Sequence, residues 1–287
     1  MHFILFALSA LIWGTGAYVT TLQAGPVPVP VSVAYRMLLL AVCMLVVILA
    51  TRTRLSIERE HIPWIAAHAA TFFALNFICF YTSTHYIPSG VATLALSTSP
   101  IFATILSFLL FRDAIPLRAI AGMVLGMAGL ALIVAPDIAR LDAGGAVIRG
   151  MLWALGASLG TAIGTIIGAR NHRRGLSAYT VNFWGGIGGA GICFAIALAG
   201  GMEIIIEPTL RYLGSLAYLG VVASAGAFLI FFALVARVGP GRAAYTFTTV
   251  PVVALVMSVL FEDVALGPLM IAGAAMILTG NVLVLRR

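Results

Sequence analysis

The chain has no lysine, and only 9% of its 287 residues are charged. A water-soluble domain carries about 25% charged residues, so a solvated surface around a globular core is excluded. Acids are scarcest, nine against sixteen arginines, and none stands in the middle of an apolar run. A proton relay of the usual Asp/Glu kind is therefore not in the pattern. The three cysteines, Cys43, Cys79 and Cys193, all lie inside apolar runs; no pair is indicated, and packing is the default for buried thiols. No phosphate-cradling Walker motif appears, which excludes ATP hydrolysis within this chain. No metal-ligand spacing appears either, so no metal or other cofactor is expected. Cys79 and His85 are the one nearby reactive pair, and six residues do not place them on one helical face. An enzyme is not expected.

What is present is apolar: 62% of the residues are hydrophobic. The runs reach about 20 residues, the length of a membrane-crossing helix; a barrel would alternate in segments of about 10. Breaks at Pro/Gly clusters and arginine-bearing loops divide the chain into ten spans, near 3–22, 30–51, 63–84, 88–111, 117–135, 150–169, 178–199, 212–235, 242–261 and 267–285. The opening stretch lacks a basic region and its apolar part is long, so it reads as the first span rather than a cleavable leader. The longest connection, 136–149, reads as a loop. The expectation is an all-α integral membrane protein.

A net charge of +7 on a soluble protein would suggest nucleic acid. Here most arginines sit in short loops, and the reading is orientation in a lipid membrane. Arg52, Arg54, Arg59, Arg112, Arg118, Arg170, Arg173, Arg174, Arg237, Arg242, Arg286 and Arg287 share one side; Arg140, Arg149 and Arg211 take the other. The positive-inside rule places the twelve, and both termini, in the cytoplasm. Arg36 alone falls inside a span.

Offsets of 150–152 align the fourth and fifth spans with the ninth and tenth. Pro88 matches Pro240, Pro100 matches Pro251, Phe111 matches Phe261, and Gly129 matches Gly280; "IAG" at 120–122 matches "IAG" at 271–273. The chain then reads as two five-helix halves, 1–140 and 141–287. Five is odd, so the second half enters the membrane inverted. Loop charges agree: Arg112 and Arg118 follow the fourth span, whereas Glu262 and Asp263 follow the ninth. Inverted repeats mark transporters that alternate access between two faces.

Trp13–Gly14, the Tyr81/Tyr86/Pro88/Gly90 series leading into Pro100, Phe-Arg-Asp at 111–113 and Gly122/Gly126/Gly129 recur in order with "VGPGRAAYTFTTVP" and Glu262 before Ala272–Gly273. In these features the whole chain resembles the ten-helix EamA-type branch of the drug/metabolite transporter superfamily. Within it the chain looks most like YddG-type exporters of aromatic and other neutral amino acids. Where that family usually has Glu at the end of the fourth helix, this chain has Asp113, and the acid is retained. The resemblance implies the inverted ten-helix fold, a multi-pass protein of the cell inner membrane and export of a small neutral metabolite, an amino acid above all. Drugs or other metabolites as cargo, and channel-like permeation, stay open alternatives.

Polar residues at membrane depth point to the site. Asn76, Phe80 and Thr84 recur every four residues, on one face, with Tyr81 beside them; Ser97 and Thr98 precede Pro100, and Tyr245 and Thr248 precede Pro251. Repeat matching pairs Phe80 with Phe232, and Trp13 joins the set. Against this stands the ordinary role of a membrane hydroxyl, bonding its own helix. His68, near the cytoplasmic end of its span, reads as solvated. Arg36 calls for water, carbonyl oxygens or an anionic ligand such as a substrate carboxylate, or else for snorkelling to the outer interface. Pro100 and Pro251 free the carbonyls of Leu96 and Phe247 and read as hinges. Gly156, Gly160, Gly164 and Gly168 form a small-residue stripe for close packing.

Overall fold

The computed structural model describes residues 2–112, 115–139, 144–239, 243 and 246–285. Among the described residues no strand occurs. Seven helical segments are long and apolar enough to cross a membrane: His2–Thr21, Val29–Thr51, Arg59–Ser83, Ser89–Leu110, Gly145–Arg173, Ala178–Ala199 and Leu210–Val238. Three shorter apolar helices accompany them, over Leu117–Ile133, Thr246–Phe261 and Pro268–Val284.

The elements are α1 (His2–Thr21), α2 (Val29–Thr51), α3 (Ile62–His68), a π-helical segment (Ala69–Leu75), α4 (Asn76–Ser83), α5 (Ser89–Leu96), α6 (Ser99–Phe111) and α7 (Leu117–Ala139). They continue with α8 (Gly144–Arg173), α9 (Ala178–Ala199), α10 (Leu210–Ala217), a second π-helical segment (Tyr218–Gly226), α11 (Ala227–Val238), α12 (Thr246–Phe261) and α13 (Pro268–Leu285). Each π segment lies inside an otherwise continuous helix, α3 to α4 and α10 to α11. Such wide turns shift the side-chain register by one position and concentrate at functional sites. The expected loop 136–149 is mostly helix, since α7 continues to Ala139 and α8 begins at Gly144. Glycine there read as a breaker, but in a first turn, where the N–H groups lack helical partners anyway, it costs little.

Contacts between the front and back of the chain come in exchanged pairs. α1 packs on α11 and α12, while α8 packs on α4 and on α5 with α6. α9 packs on the first π segment, while α2 packs on the second. α2 pairs with α9, and α7 with α13. The last pair is set by glycine: a Cβ at Gly122 would strike the carbonyl oxygen of Gly280, and one at Gly129 that of Gly273. The same two clashes arise from the other side, at Gly280 and Gly273. Numbering rises on one helix as it falls on the other, so the two run antiparallel with backbones in contact, the close approach that small residues permit. The stripe on α8 does the same work: Gly156 meets Cys79, Gly160 the backbone of Asn76 and Thr71, Gly164 Phe72, and Gly168 the His68 ring. Beside it Thr161 and Thr165 bond carbonyls of their own helix.

Valine at Gly122 or Gly280 is expected to destabilise the α7–α13 pairing by about 1–3 kcal/mol, the range for overpacking. The thermal unfolding midpoint of purified protein in detergent reads it, and an unchanged midpoint for both variants would refute the contact.

Candidate functional site

We call the face where α1 begins proximal and the face where it ends distal. Midway along α1, Gly14 brings the helix against α12, where a Cβ would run into Val253 and the Val250 carbonyl. Trp13 is thereby laid on α12 and α11. Its ring stacks on Phe247 at 5.1 Å and 19° and meets Phe231 at 5.4 Å and Phe228 at 5.8 Å. Phe228 stacks on Phe232 at 5.9 Å and approaches Phe72 of the first π segment at 6.4 Å. Phe232 in turn stands edge-on to Tyr179 of α9 at 6.2 Å. Two residues singled out from sequence, Trp13 and Phe232, thus share one aromatic cluster; Phe72, Phe228, Phe231 and Phe247 belong to it and were not foreseen. In runs such as "AFLIFFALV" nothing distinguishes a phenylalanine facing its neighbours from one facing lipid. His68 departs from its expected solvation: it is buried, stacked on Phe72 at 5.2 Å and edge-on to Phe73 at 5.3 Å. Gly168 makes room for the ring.

In the distal half lies a polar cluster around Arg36. Its side chain does not snorkel; the residue is only 6% exposed. Nε donates to Ser224 Oγ of the second π segment at 3.0 Å, and a terminal nitrogen donates to the Tyr81 hydroxyl at 3.4 Å. The guanidinium carbon lies 4.5 Å from the centre of the Phe77 ring. Tyr81 passes its own proton to Gln23 Oε1 at 2.9 Å. Among the described residues Arg36 has no carboxylate partner. The π geometry of Tyr218–Gly226 thus delivers a hydroxyl to the cation from a third chain segment.

The remaining predicted residues separate. Asn76 is buried and its amide nitrogen reaches only the Phe72 carbonyl at 3.4 Å, leaving Oδ1 without a partner. Phe80 is buried in the core. Thr84 bonds the Tyr81 carbonyl of its own chain turn. Ser97 and Thr98 bond the carbonyls of Leu94 and Ala95, the ordinary role of a membrane hydroxyl. Ser97 also accepts from Asn281 of α13, and Thr98, with no exposed surface, meets Ser158 of α8. Thr248 is partly buried on α12; Tyr245 and Asp113 lie outside the described residues.

The two prolines are not equivalent. The fourth span breaks at Ser97–Thr98, and Pro100 occupies the first turn of the new helix α6, a position where its missing N–H costs nothing. Pro251 stands inside the unbroken α12. The Leu96 carbonyl freed at the break is met by Ser158 Oγ at 3.2 Å, a partner from a different helix.

At the distal face Glu262, just past α12, caps α5. Its carboxylate accepts from the Ser89 amide at 3.1 and 3.2 Å, from the Ser89 hydroxyl at 2.6 Å and from the Ser258 hydroxyl. Ser258 Oγ also takes the Gly90 amide at 2.7 Å. An anion there meets the unpaired N–H groups of a helix N-terminus. Gly90 lets the two backbones close, since a Cβ would strike Leu255.

Two helix-rich portions of the chain, residues 1–135 and 148–286, match the profile of the EamA-like transporter family. The chain belongs to the EamA-like transporter family. It is 28% identical over 219 residues to the uncharacterized transporter YvbV of Bacillus subtilis (strain 168), spanning 73% of this chain and 68% of that protein. It is 31% identical over 212 residues to the uncharacterized transporter sll0355 of Synechocystis sp., spanning 69% of this chain and 64% of that protein. In fold it resembles a protein of known crystal structure with a TM-score of 0.68 and 16% identity, over 99% of this chain and 96% of the other. This EamA-like transporter is a multi-pass membrane protein of the drug/metabolite type.

The arrangement offers stacking surface at Trp13 and its neighbours and hydrogen-bond donors at Arg36. Gln23, Ser158, Ser224, Ser258 and Asn281 were not foreseen. Each is a lone polar residue at a span end or inside an apolar run, and only the partner helix shows its use.

Glu262→Ala is expected to destabilise the transporter by about 1–3 kcal/mol, because it leaves the Ser89 N–H unpaired where water is scarce. Glu262→Gln, which keeps one acceptor oxygen, should lose less. Thermal unfolding in detergent measures both, and equal midpoints for all three proteins would exclude the cap.

Proposed function

We propose that this chain exports small neutral amino acids, aromatic ones included, across the cell inner membrane by alternating access between two inverted halves. The observation that carries the reading is the aromatic cluster. It unites Trp13 of α1 and Phe72 of the first π segment with Phe228, Phe231, Phe232 and Phe247 of α11 and α12. A surface shared in this way changes shape whenever the halves move. Aromatic pairs contribute about 0.5–1.5 kcal/mol beyond the area they bury, so such a cluster favours a flat apolar side chain. Arg36, the buried cation of the distal half, stands as the partner for the cargo's carboxylate.

The inverted arrangement of ten crossing helices, residues 1–140 against 141–287, is supported by the exchanged contacts. If α1 corresponds to α8, α4 to α11, and α5 with α6 to α12, then each contact has a counterpart with the roles reversed. The α7–α13 glycine pairs have the same property, as a two-fold axis between antiparallel helices requires. A π segment inside the third helix of each half agrees. Arginine distribution supports a cytoplasmic proximal face carrying both termini. The hinge role of the prolines takes two forms. The break before Pro100 allows α6 to swing against α5, whereas Pro251 weakens a continuous helix by one hydrogen bond.

Reconstituted protein is expected to exchange neutral amino acids in a counterflow assay, and Trp13→Ala to weaken apparent affinity for an aromatic cargo about tenfold. If no neutral amino acid moves, the cargo reading is wrong; linear, unsaturable flux would point to a channel. Pro100→Ala and Pro251→Ala should each slow exchange while leaving the unfolding midpoint within a few degrees. Parent rates in both would dismiss the hinges. A phosphatase fused after residue 287 should be inactive, and periplasmic activity there would overturn the orientation.

A further inference from the structure

The cluster around Arg36 is rich in donors and poor in acceptors. A guanidinium offers five N–H groups. Two are used, toward Ser224 and Tyr81, which leaves three. Gln23 is 4% exposed, and its Nε2 has no partner. The amide turns its oxygen to the phenol. Arg36 can only donate, so the Tyr81 hydroxyl accepts from it and turns its own proton to Gln23 Oε1. The two N–H groups of Nε2 are left facing away from that bond. Among the described residues no carboxylate pairs with Arg36, while three of its N–H groups and the two of Gln23 Nε2 make no hydrogen bond. Burying donors without acceptors costs free energy, and burying a cation without an anion costs more. Both costs fall when an anion with several lone pairs enters.

The cluster has no counterpart for a cation. Among the acids whose side chains are described none is buried: Glu58, Glu60, Glu203 and Asp263 are exposed, and Glu207 and Glu262 are partly exposed. Glu207 accepts from Thr209, and Glu262 is held by Ser89 and Ser258. Apolar surface lies directly beside the donors, since Phe77 faces the guanidinium.

We infer that Arg36 and Gln23 form a carboxylate-binding subsite, and that the solutes it admits are apolar monocarboxylates for which an amino group is optional. The inference rests on the transport reading above for the route of the cargo, and departs from it in the class of cargo. The planar fork of Arg36 takes one or both carboxylate oxygens, as guanidinium–carboxylate geometry favours, and the Gln23 amide donates to the second. Ser224 and Tyr81 are positioning residues that hold the fork.

The test measures equilibrium binding of three probes to the full-length protein in detergent: phenylalanine, 3-phenylpropionate, which lacks the amine, and phenethylamine, which lacks the carboxylate. The first two are expected to bind with dissociation constants within about tenfold of each other, and phenethylamine at least a hundredfold more weakly. Gln23→Leu should weaken phenylpropionate about tenfold, the effect of one hydrogen bond to a charged group. Gln23→Glu installs a carboxylate in the Arg36–Tyr81–Gln23 cluster; it should abolish phenylpropionate binding while keeping or raising the thermal midpoint, which separates a filled subsite from a misfolded protein. Failure of phenylpropionate to bind, phenethylamine binding as tightly, or an unchanged affinity in Gln23→Glu would each overturn the inference. The two readings fail separately. Phenylpropionate binding that Gln23→Glu abolishes, in a protein that moves no neutral amino acid, leaves the subsite standing and removes the amino-acid cargo. Amino-acid exchange with carboxylate affinity unmoved by Gln23→Glu does the reverse.

Discussion

Inside a membrane a polar group has no water to fall back on, and each unsatisfied one costs several kcal/mol. That constraint organises this EamA-like transporter. It requires helices for nearly the whole described chain. Where a helix stops at membrane depth, as at Ser97–Thr98, another helix must supply the missing partner. Ser158 of α8 does so at the Leu96 carbonyl, and Asn281 of α13 reaches Ser97. At the distal face the N-terminus of α5 finds its acceptor in Glu262, on the far side of the bundle's sequence. At the Ser97–Thr98 break the irregular backbone is met from two other helices, α8 and α13.

The same constraint makes Arg36 unusual. It is bonded to Ser224 and Tyr81 and covered by Phe77, yet it retains donors that its neighbours do not use. A cation in this setting is tolerated because hydroxyls and an aromatic face surround it. Its distal position and the aromatic cluster around Trp13 divide the bundle into a polar zone and a stacking zone. Second-half residues contribute to both, Ser224 to one and Phe228 and Phe247 to the other.

Close approach is the second theme. Lipid offers helices little hydrophobic reason to associate, so contact area must come from fit. Glycines on α7, α8 and α13 supply it, with backbone against backbone at Gly122–Gly280 and Gly129–Gly273. Gly14 and Gly90 bring α1 and α5 onto α12. Such surfaces have few interlocking side chains to restrain sliding.

Residue periodicity and composition determined the helical, membrane-crossing character, the placement of most helix ends and the internal correspondence around Pro100 and Pro251. Those properties depend on hydropathy and on neighbours within one run, which a sequence states directly. Trp13, Tyr81 and Arg36 stand out in sequence because an indole, a phenol and a guanidinium are conspicuous in an apolar run. Only the tertiary structure decided that His68 is enclosed rather than solvated, that Arg36 is buried rather than snorkelled, and that Pro100 begins a helix while Pro251 interrupts one. It alone decided that Gln23, Ser158 and Ser224 bond Tyr81, the Leu96 carbonyl and Arg36. Each of these depends on what a different helix presents at the same depth, such as Gly168 making room for a ring or Ser224 meeting a cation 188 residues away. Distance along the chain carries no record of that depth, because it is set by how helices pack.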